Sequence, residues 1–352
     1  MTAIDEAELN DLLGRFVGDL GATASAGNVV LGDRLGLYRA LADDGPVTAA
    51  ELAAKSGTAE RYVREWLAGQ AAGGYVSYDP ATGKYWLSAA QATAFADPDG
   101  LALPGAFELA LACLADEPKI RTAFRTGEGF AWGDHDPGVF TGCERFYRPG
   151  YVANLVGAWI PAIDGLAARL SAGASVADVG CGLGTSTMIL ARTYPAASVT
   201  GYDSHPESIA LARKTADAAG LTDRVDFRTA TAQDFPGSRY GLVTTFDCLH
   251  DMGDPVGAAR HIRRSLADDG VWMIVEPFAG RSVADNLNPV GRVYYSFSTF
   301  LCVPHALSED AADPLGNQAG EEPIARIATE AGFGTFRRVA ETAFNIVYEA
   351  RP

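Results

Sequence analysis

Apolar positions in the first part of the chain recur at helical spacing. In the stretch 31–41, Leu31, Leu35, Tyr38 and Leu41 fall on one face of a helix, and Gly45-Pro46 stops it. Thr48 followed by Glu51 forms a capping box, in which hydroxyl and carboxylate answer the open amides of a second helix that ends near Gly57. Thr58 can cap a third helix over 59–72. Gly73-Gly74 then leads into the aromatic runs 75–78 and 85–88, which bracket the turn Asp79-Pro-Ala-Thr-Gly83 and predict a β-hairpin.

Three helices and a hairpin are the element order of a winged helix-turn-helix, assigned to residues 1–95. Residues 96–174 are interrupted by Gly100, Pro104, Gly127 and Gly129 and read as a helical linker and lid rich in aromatic side chains. From Ser175 onward, strands are expected over 175–179, 198–202, 225–228, 242–246 and 271–275. Helices fall between them, after Gly184 and over 206–219 and 255–266. That alternation predicts an α/β fold with a doubly wound, mainly parallel sheet. A last helix over 323–331 and two strand-like runs, 335–339 and 344–348, bring the sheet to seven strands and close a domain assigned to 175–352.

Composition narrows the partners. With 352 residues, 48% of them hydrophobic and 20% charged, the chain has the balance of a globular protein with two cores. Its formal charge of -16, from 28 Lys and Arg against 44 Asp and Glu, repels phosphate backbones and acidic lipid surfaces. Cys113, Cys143, Cys181, Cys248 and Cys302 lie far apart without C-x-x-C spacing, as reduced thiols do. The start of the chain is acidic where a secretory signal is basic, and no apolar run approaches the ~20 residues of a membrane span. A cytoplasmic protein without a membrane partner is expected.

The segment most informative about chemistry is Val176-Ala-Asp178-Val-Gly180-Cys-Gly182-Leu-Gly184-Thr. A strand runs into glycines at every second position, so the backbone can turn sharply and come close to a ligand before a helix begins. A dinucleotide fingerprint would place its third glycine at 185, where this chain has Thr. Asp203, followed by Ser204, ends the next strand, where a carboxylate can accept hydrogen bonds from both ribose hydroxyls.

The D-x-G-x-G-x-G form resembles motif I of the class I S-adenosylmethionine-dependent methyltransferases. A winged helix ahead of such a domain resembles the small-molecule O-methyltransferases, and also actinobacterial methyltransferases labelled as regulators. The resemblance implies S-adenosylmethionine as cofactor, with S-adenosylhomocysteine as product, and a homodimer built through the N-terminal domain. It places Asp178, Gly180, Gly182, Gly184, Asp203 and Ser204 at the cofactor. Thr231, Ala232 and Gln233 stand where the family offers an acidic residue and an amide to the adenine, although Thr231 departs from that pattern. Phe246 and Asp247 match a motif flanking the cofactor, with Phe246 equally readable as core.

Methyl transfer to a hydroxyl requires in-line placement and removal of a proton. In plant-type O-methyltransferases a His-Asp dipeptide supplies the base, and His250-Asp251 occupies that place here. A histidine near its unperturbed pKa suits the task. The other reading of His250 is a cap for the following helix. Glu276, ending the next strand, matches the carboxylate that orients the family's base, or is a plain strand-end acid. Phe146, Tyr147, Tyr151 and Tyr295 flank the expected acceptor pocket, and His305 lies in the segment that caps it, either touching substrate or facing water. His250 and His305 without a third ligand do not make a metal site, so no metal is expected.

The acceptor is then a small molecule methylated on oxygen, with N- or C-methylation and a cofactor-sensing transcriptional regulator as the alternatives. Residues 1–95 hold seven Lys or Arg against twelve Asp or Glu, and 58–73 sum to zero through Glu60, Arg61, Arg64 and Glu65. A DNA-reading winged helix presents a basic face. Nucleic acid is therefore not the expected partner.

Overall fold

A computed structural model describes residues 4–97, 100–237, 239–309, 311 and 313–352, apart from the side chain of Asp44. The first three positions of the acidic N-terminus lie outside the described residues. The chain divides into two compact units: residues through Leu111 with Thr141–Pro149, and Ala112–Phe140 with Gly150–Pro352.

The first unit begins with the helix Glu6–Arg34, capped by the Asp5 carboxylate, which accepts from the amides of Ala7 and Glu8. The expected continuous face over 31–41 is corrected here. Gly36 sits at φ +69°, a conformation that strains any side-chain-bearing residue, and it separates the first helix from Leu37–Asp44. The break changes the helical phase, so Tyr38 and Leu41 are buried while Leu31 and Leu35 are exposed. The capping box forms as its mechanism requires: Thr48 N donates to Glu51 at 2.7 Å and Glu51 N to Thr48 Oγ1 at 3.3 Å, opening the helix Ala49–Ser56. The helix Glu60–Ala72 follows, then β1 (Ser77–Asp79) and β2 (Lys84–Trp86), antiparallel with Tyr78 opposite Tyr85. Leu52, Leu67, Trp66, Tyr38 and Phe95 make the core, and the buried Tyr38 hydroxyl donates to Gln70 Oε1 at 2.6 Å.

In the second unit the sheet comprises β3 (Ser175–Val179), β4 (Ser198–Asp203), β5 (Val225–Thr229), β6 (Tyr240–Phe246), β7 (Leu266–Pro277), β8 (Thr335–Glu341) and β9 (Asn345–Arg351). Their order is β5-β4-β3-β6-β7-β9-β8. The first five are mutually parallel, and β9 is inserted antiparallel between β7 and β8. β6 and most of β7 are buried, as parallel strands covered on both faces must be. The helix Pro255–Ser265 shows how the covering works: Ala258, Ala259 and Ile262 are buried while Arg260 is exposed. The chain runs from β3 outward to β5, then returns to place β6 on the other side of β3, so the strand order reverses between β3 and β6. Open α/β sheets bind ligands outside the carboxyl ends of strands at such a reversal.

The span 96–174, expected as linker and lid, contains the helices Pro104–Ala115, Glu117–Thr126, Gly138–Asn154 and Leu166–Ser171. Its residues are shared between the two units.

Candidate active site

The carboxyl ends of β3, β4, β6 and β7 carry the residues that matter, all in the second unit. After β3 the chain turns through Gly180, Gly182 and Gly184 at φ +73°, +52° and +83°. At Gly184 a Cβ would stand 2.5 Å from the Phe227 ring, so the helix Thr185–Thr193 packs onto the sheet only with glycine there. At Gly182 a Cβ would meet no atom of the chain, and the loop keeps that side open.

Asp203 holds this loop from the neighbouring strand. Its Oδ2 accepts from Gly182 N at 2.8 Å and its Oδ1 from His205 N at 2.9 Å. Burial pushes its pKa up, against those two amide hydrogen bonds. Ser204 beside it is exposed. Asp178 is placed differently from the expectation that it meets a ligand. It is fully buried, and its carboxylate accepts from Ser186 Oγ and Thr187 Oγ1 at 2.6 Å each and from Thr244 Oγ1 at 2.8 Å. Its work is to tie the loop to the helix behind it and to β6.

Thr231, Ala232 and Gln233 form a turn closed by Asp234, whose Oδ1 accepts from both N and Oγ1 of Thr231 at 2.8 Å. Gln233 Nε2 donates to Asp254 O at 3.3 Å. Phe246 is buried with its ring 5.3 Å from that of Tyr151. Asp247 adopts φ +49°, unusual for a residue with a side chain. Its Oδ2 accepts from Tyr151 Oη at 2.7 Å and its Oδ1 from Asn345 Nδ2 at 2.8 Å, and burial pushes its pKa up to about 8. Tyr151 is thus a buried partner of Asp247.

His250 lies in a short 3-10 turn, Leu249–Asp251, after β6, and is buried. Its Nδ1 faces Glu276 Oε2 at 2.5 Å, and Glu276 Oε1 accepts from Leu249 N at 3.1 Å. Glu276, at the end of β7, is itself buried, so two adjacent strands converge on one imidazole. On the other side Nε2 stands 3.1 Å from Asp251 Oδ1 and 3.4 Å from Asn317 Nδ2. Burial disfavours the charged ring, but the carboxylates of Asp251 and Glu276 outweigh it and raise the pKa well above the ordinary histidine range. That corrects the expectation of a base near its unperturbed pKa.

The remaining expected residues fall on other elements. Tyr295 is half-buried on the helix Pro289–Phe300. His305, on Cys302–Ser308, lies 5.7 Å from the Trp132 ring, and Glu309 Oε1 is 3.8 Å from its Nε2. Phe146 and Tyr147 belong to the first unit, where their rings meet edge to face at 4.9 Å. Asp251, Cys302 and Asn317, which surround His250 Nε2, were not expected there. Asp251 could have been found from its adjacency to His250. Asn317 carries no local signal.

Comparison with known proteins agrees with this layout. Residues 170–320 match the family model described as Methyltransferase domain, and residues 23–96 match that of the Rv2258c-like winged HTH domain. A ubiquinone biosynthesis O-methyltransferase of Actinobacillus pleuropneumoniae is 33% identical over 106 residues, 28% of this chain and 44% of that protein. The chain thus spans less than half the length of this curated relative. Among solved structures, mitomycin 7-O-methyltransferase MmcR superposes with a TM-score of 0.71 at 17% identity, covering 99% of this chain and 100% of that one. Human N-acetylserotonin methyltransferase, solved with SAM, does so with a TM-score of 0.70 at 18% identity, covering 100% and 99%. At such identities the likeness is one of fold. By its motifs, sheet and family matches, the chain carries a methyltransferase domain preceded by a winged helix-turn-helix domain.

Proposed function

We propose that the protein transfers a methyl group from S-adenosylmethionine to a hydroxyl oxygen of a small molecule, with His250 as the base. The observation that carries this reading is the buried His250–Glu276 pair at the carboxyl ends of β6 and β7, next to the strand-order reversal between β3 and β6 and in the same unit as the glycine loop. The loop suits the cofactor: Gly182 leaves open space, and the Asp203 carboxylate lies against the loop amide, positioned for a ribose diol. Bound there, S-adenosylmethionine supplies an electrophilic methyl carbon on a sulfonium, a cation for which the nearby carboxylates form a favourable field. Glu276 fixes the imidazole through Nδ1, leaving Nε2 to take the acceptor's proton once the ring has lost its own.

The winged-helix domain we assign to dimer formation. Leu9, Leu13, Phe16 and Leu20 make an exposed apolar stripe along Glu6–Arg34, the kind of surface that a second copy covers. On Glu60–Ala72, the helix a DNA reader would present, Arg61 pairs with Glu65 at 2.6 Å and Arg64 with Glu60 at 2.5 Å, so its guanidinium charges are matched locally. The test is incubation with methyl-labelled S-adenosylmethionine and a panel of phenols, aliphatic alcohols and amines, with mass spectrometry locating the label. Label on oxygen supports the reading; label only on nitrogen or carbon refutes it.

A further inference from the structure

We propose that the pocket around His250 also binds a thiophilic divalent cation of the Zn2+ and Co2+ class, held by His250 Nε2, Asp251 Oδ1 and Cys302 Sγ with the Asn317 side-chain amide as fourth ligand. The first three atoms lie within 4.8 Å of one another. Imidazole nitrogen, carboxylate oxygen and thiolate sulfur are the donors of zinc sites, and tetrahedral bonds of about 2.0–2.3 Å set ligands roughly 3.3–3.8 Å apart. Here His250 Nε2 is 3.1 Å from Asp251 Oδ1 and 3.4 Å from Asn317 Nδ2, and Nδ2 is 3.7 Å from Cys302 Sγ.

With the Asn317 amide nitrogen toward Nε2, these contacts do not make a consistent hydrogen-bond set. One ring nitrogen cannot both donate to Asp251 and accept from Asn317. Among the described residues, the buried Asp251 Oδ1 and Asn317 Oδ1 have no hydrogen-bond partner. Turning the Asn317 amide by half a rotation exchanges its nitrogen and oxygen and brings the oxygen to the same point as the other three ligands. A cation there satisfies all four. Glu276 on Nδ1 is then the outer carboxylate that fixes the tautomer of a metal-bound histidine. Thiolate and carboxylate together balance the ion's two charges. His305, the second histidine considered from sequence, is not in the set.

Binding releases the Cys302 thiol proton, and any proton on His250 Nε2, to buffer, with no change of oxidation state. Because the ion occupies the lone pair that would take the acceptor's proton, loading switches the base off. The spectroscopic test needs no turnover, so failure of this proposal is distinguishable from failure of the methyl-transfer reading.

Metal-free full-length protein titrated with Co2+ should show one equivalent bound, with a thiolate-to-cobalt charge-transfer band. Cys302→Ala should abolish that band, and Cys143→Ala should keep it. Glu276→Gln should weaken affinity by about 10- to 100-fold. Absence of the band in the wild type, or its persistence in Cys302→Ala, overturns the proposal. Should Cys302→Ala fail to fold, X-ray absorption of the zinc-loaded wild type decides: one sulfur in the shell supports the site and none overturns it.

Discussion

Replacing Glu276 by Gln tests how the imidazole is set for its task. In the wild type, carboxylates stand on both sides of the ring, at 2.5 Å from Nδ1 and 3.1 Å from Nε2, and they raise the His250 pKa against the opposing effect of burial. The ring therefore holds its proton to higher pH than a free imidazole does, and it must lose its Nε2 proton before it can accept one. The sign follows: kcat/KM rises with pH through the His250 pKa and levels off above it. Gln keeps an oxygen for Nδ1–H and removes one charge. A hydrogen bond to a charged group contributes about 1.5–3 kcal/mol, and one pH unit corresponds to about 1.4 kcal/mol, so the rise should move to lower pH by about one to two units. The plateau should also fall, because the imidazolium formed during transfer loses a counter-charge. The assay is release of S-adenosylhomocysteine in EDTA from about pH 6 to about pH 10. A rise at the same pH in both proteins refutes the reasoning, as does a flat wild-type profile.

Other outcomes follow from single contacts. Asp203→Ala should weaken S-adenosylmethionine binding by about tenfold or more, the value of a charged hydrogen bond, as read by calorimetry; unaltered affinity removes Asp203 from the ribose site. The Asp247 carboxyl is held at about 8 against 3.8 for the ordinary group, so the folded chain keeps a proton that the unfolded chain has lost. Its contribution to stability is complete below the ordinary value and is lost as pH rises toward about 8. Asp247→Asn, which cannot ionise, should therefore gain in Tm relative to wild type as pH rises across that window, and parallel Tm curves would contradict it. Phe16→Asp places a charge in the apolar stripe of the first helix and should yield monomers by light scattering; an unchanged mass removes that face from the dimer.

Elements governed by local chemistry were legible in the sequence. The Thr48–Glu51 box, the hairpin pairing Tyr78 with Tyr85 and the glycine turn after β3 each depend on residues a few positions apart. Periodicity misled at 31–41, because a single left-handed glycine resets the helical phase while the apolar pattern runs on through it. Motif position also placed Asp178 at a ligand, whereas three hydroxyls, two of them from the next helix, turn its carboxylate inward. The surroundings of His250 were half legible. Glu276 follows from strand order, since β6 and β7 are neighbours in the sheet. Cys302 and Asn317 arrive from the segment between β7 and β8, whose path depends on tertiary packing that no local pattern encodes.

The measurement closest to the central claim is the methyl-transfer rate of His250→Ala at saturating acceptor, at a pH above the wild-type rise, with S-adenosylmethionine affinity measured in parallel. Loss of a general base should lower kcat by about 100- to 10,000-fold and leave the affinity unchanged. A rate within about twofold of wild type would contradict the assignment of His250 as the base.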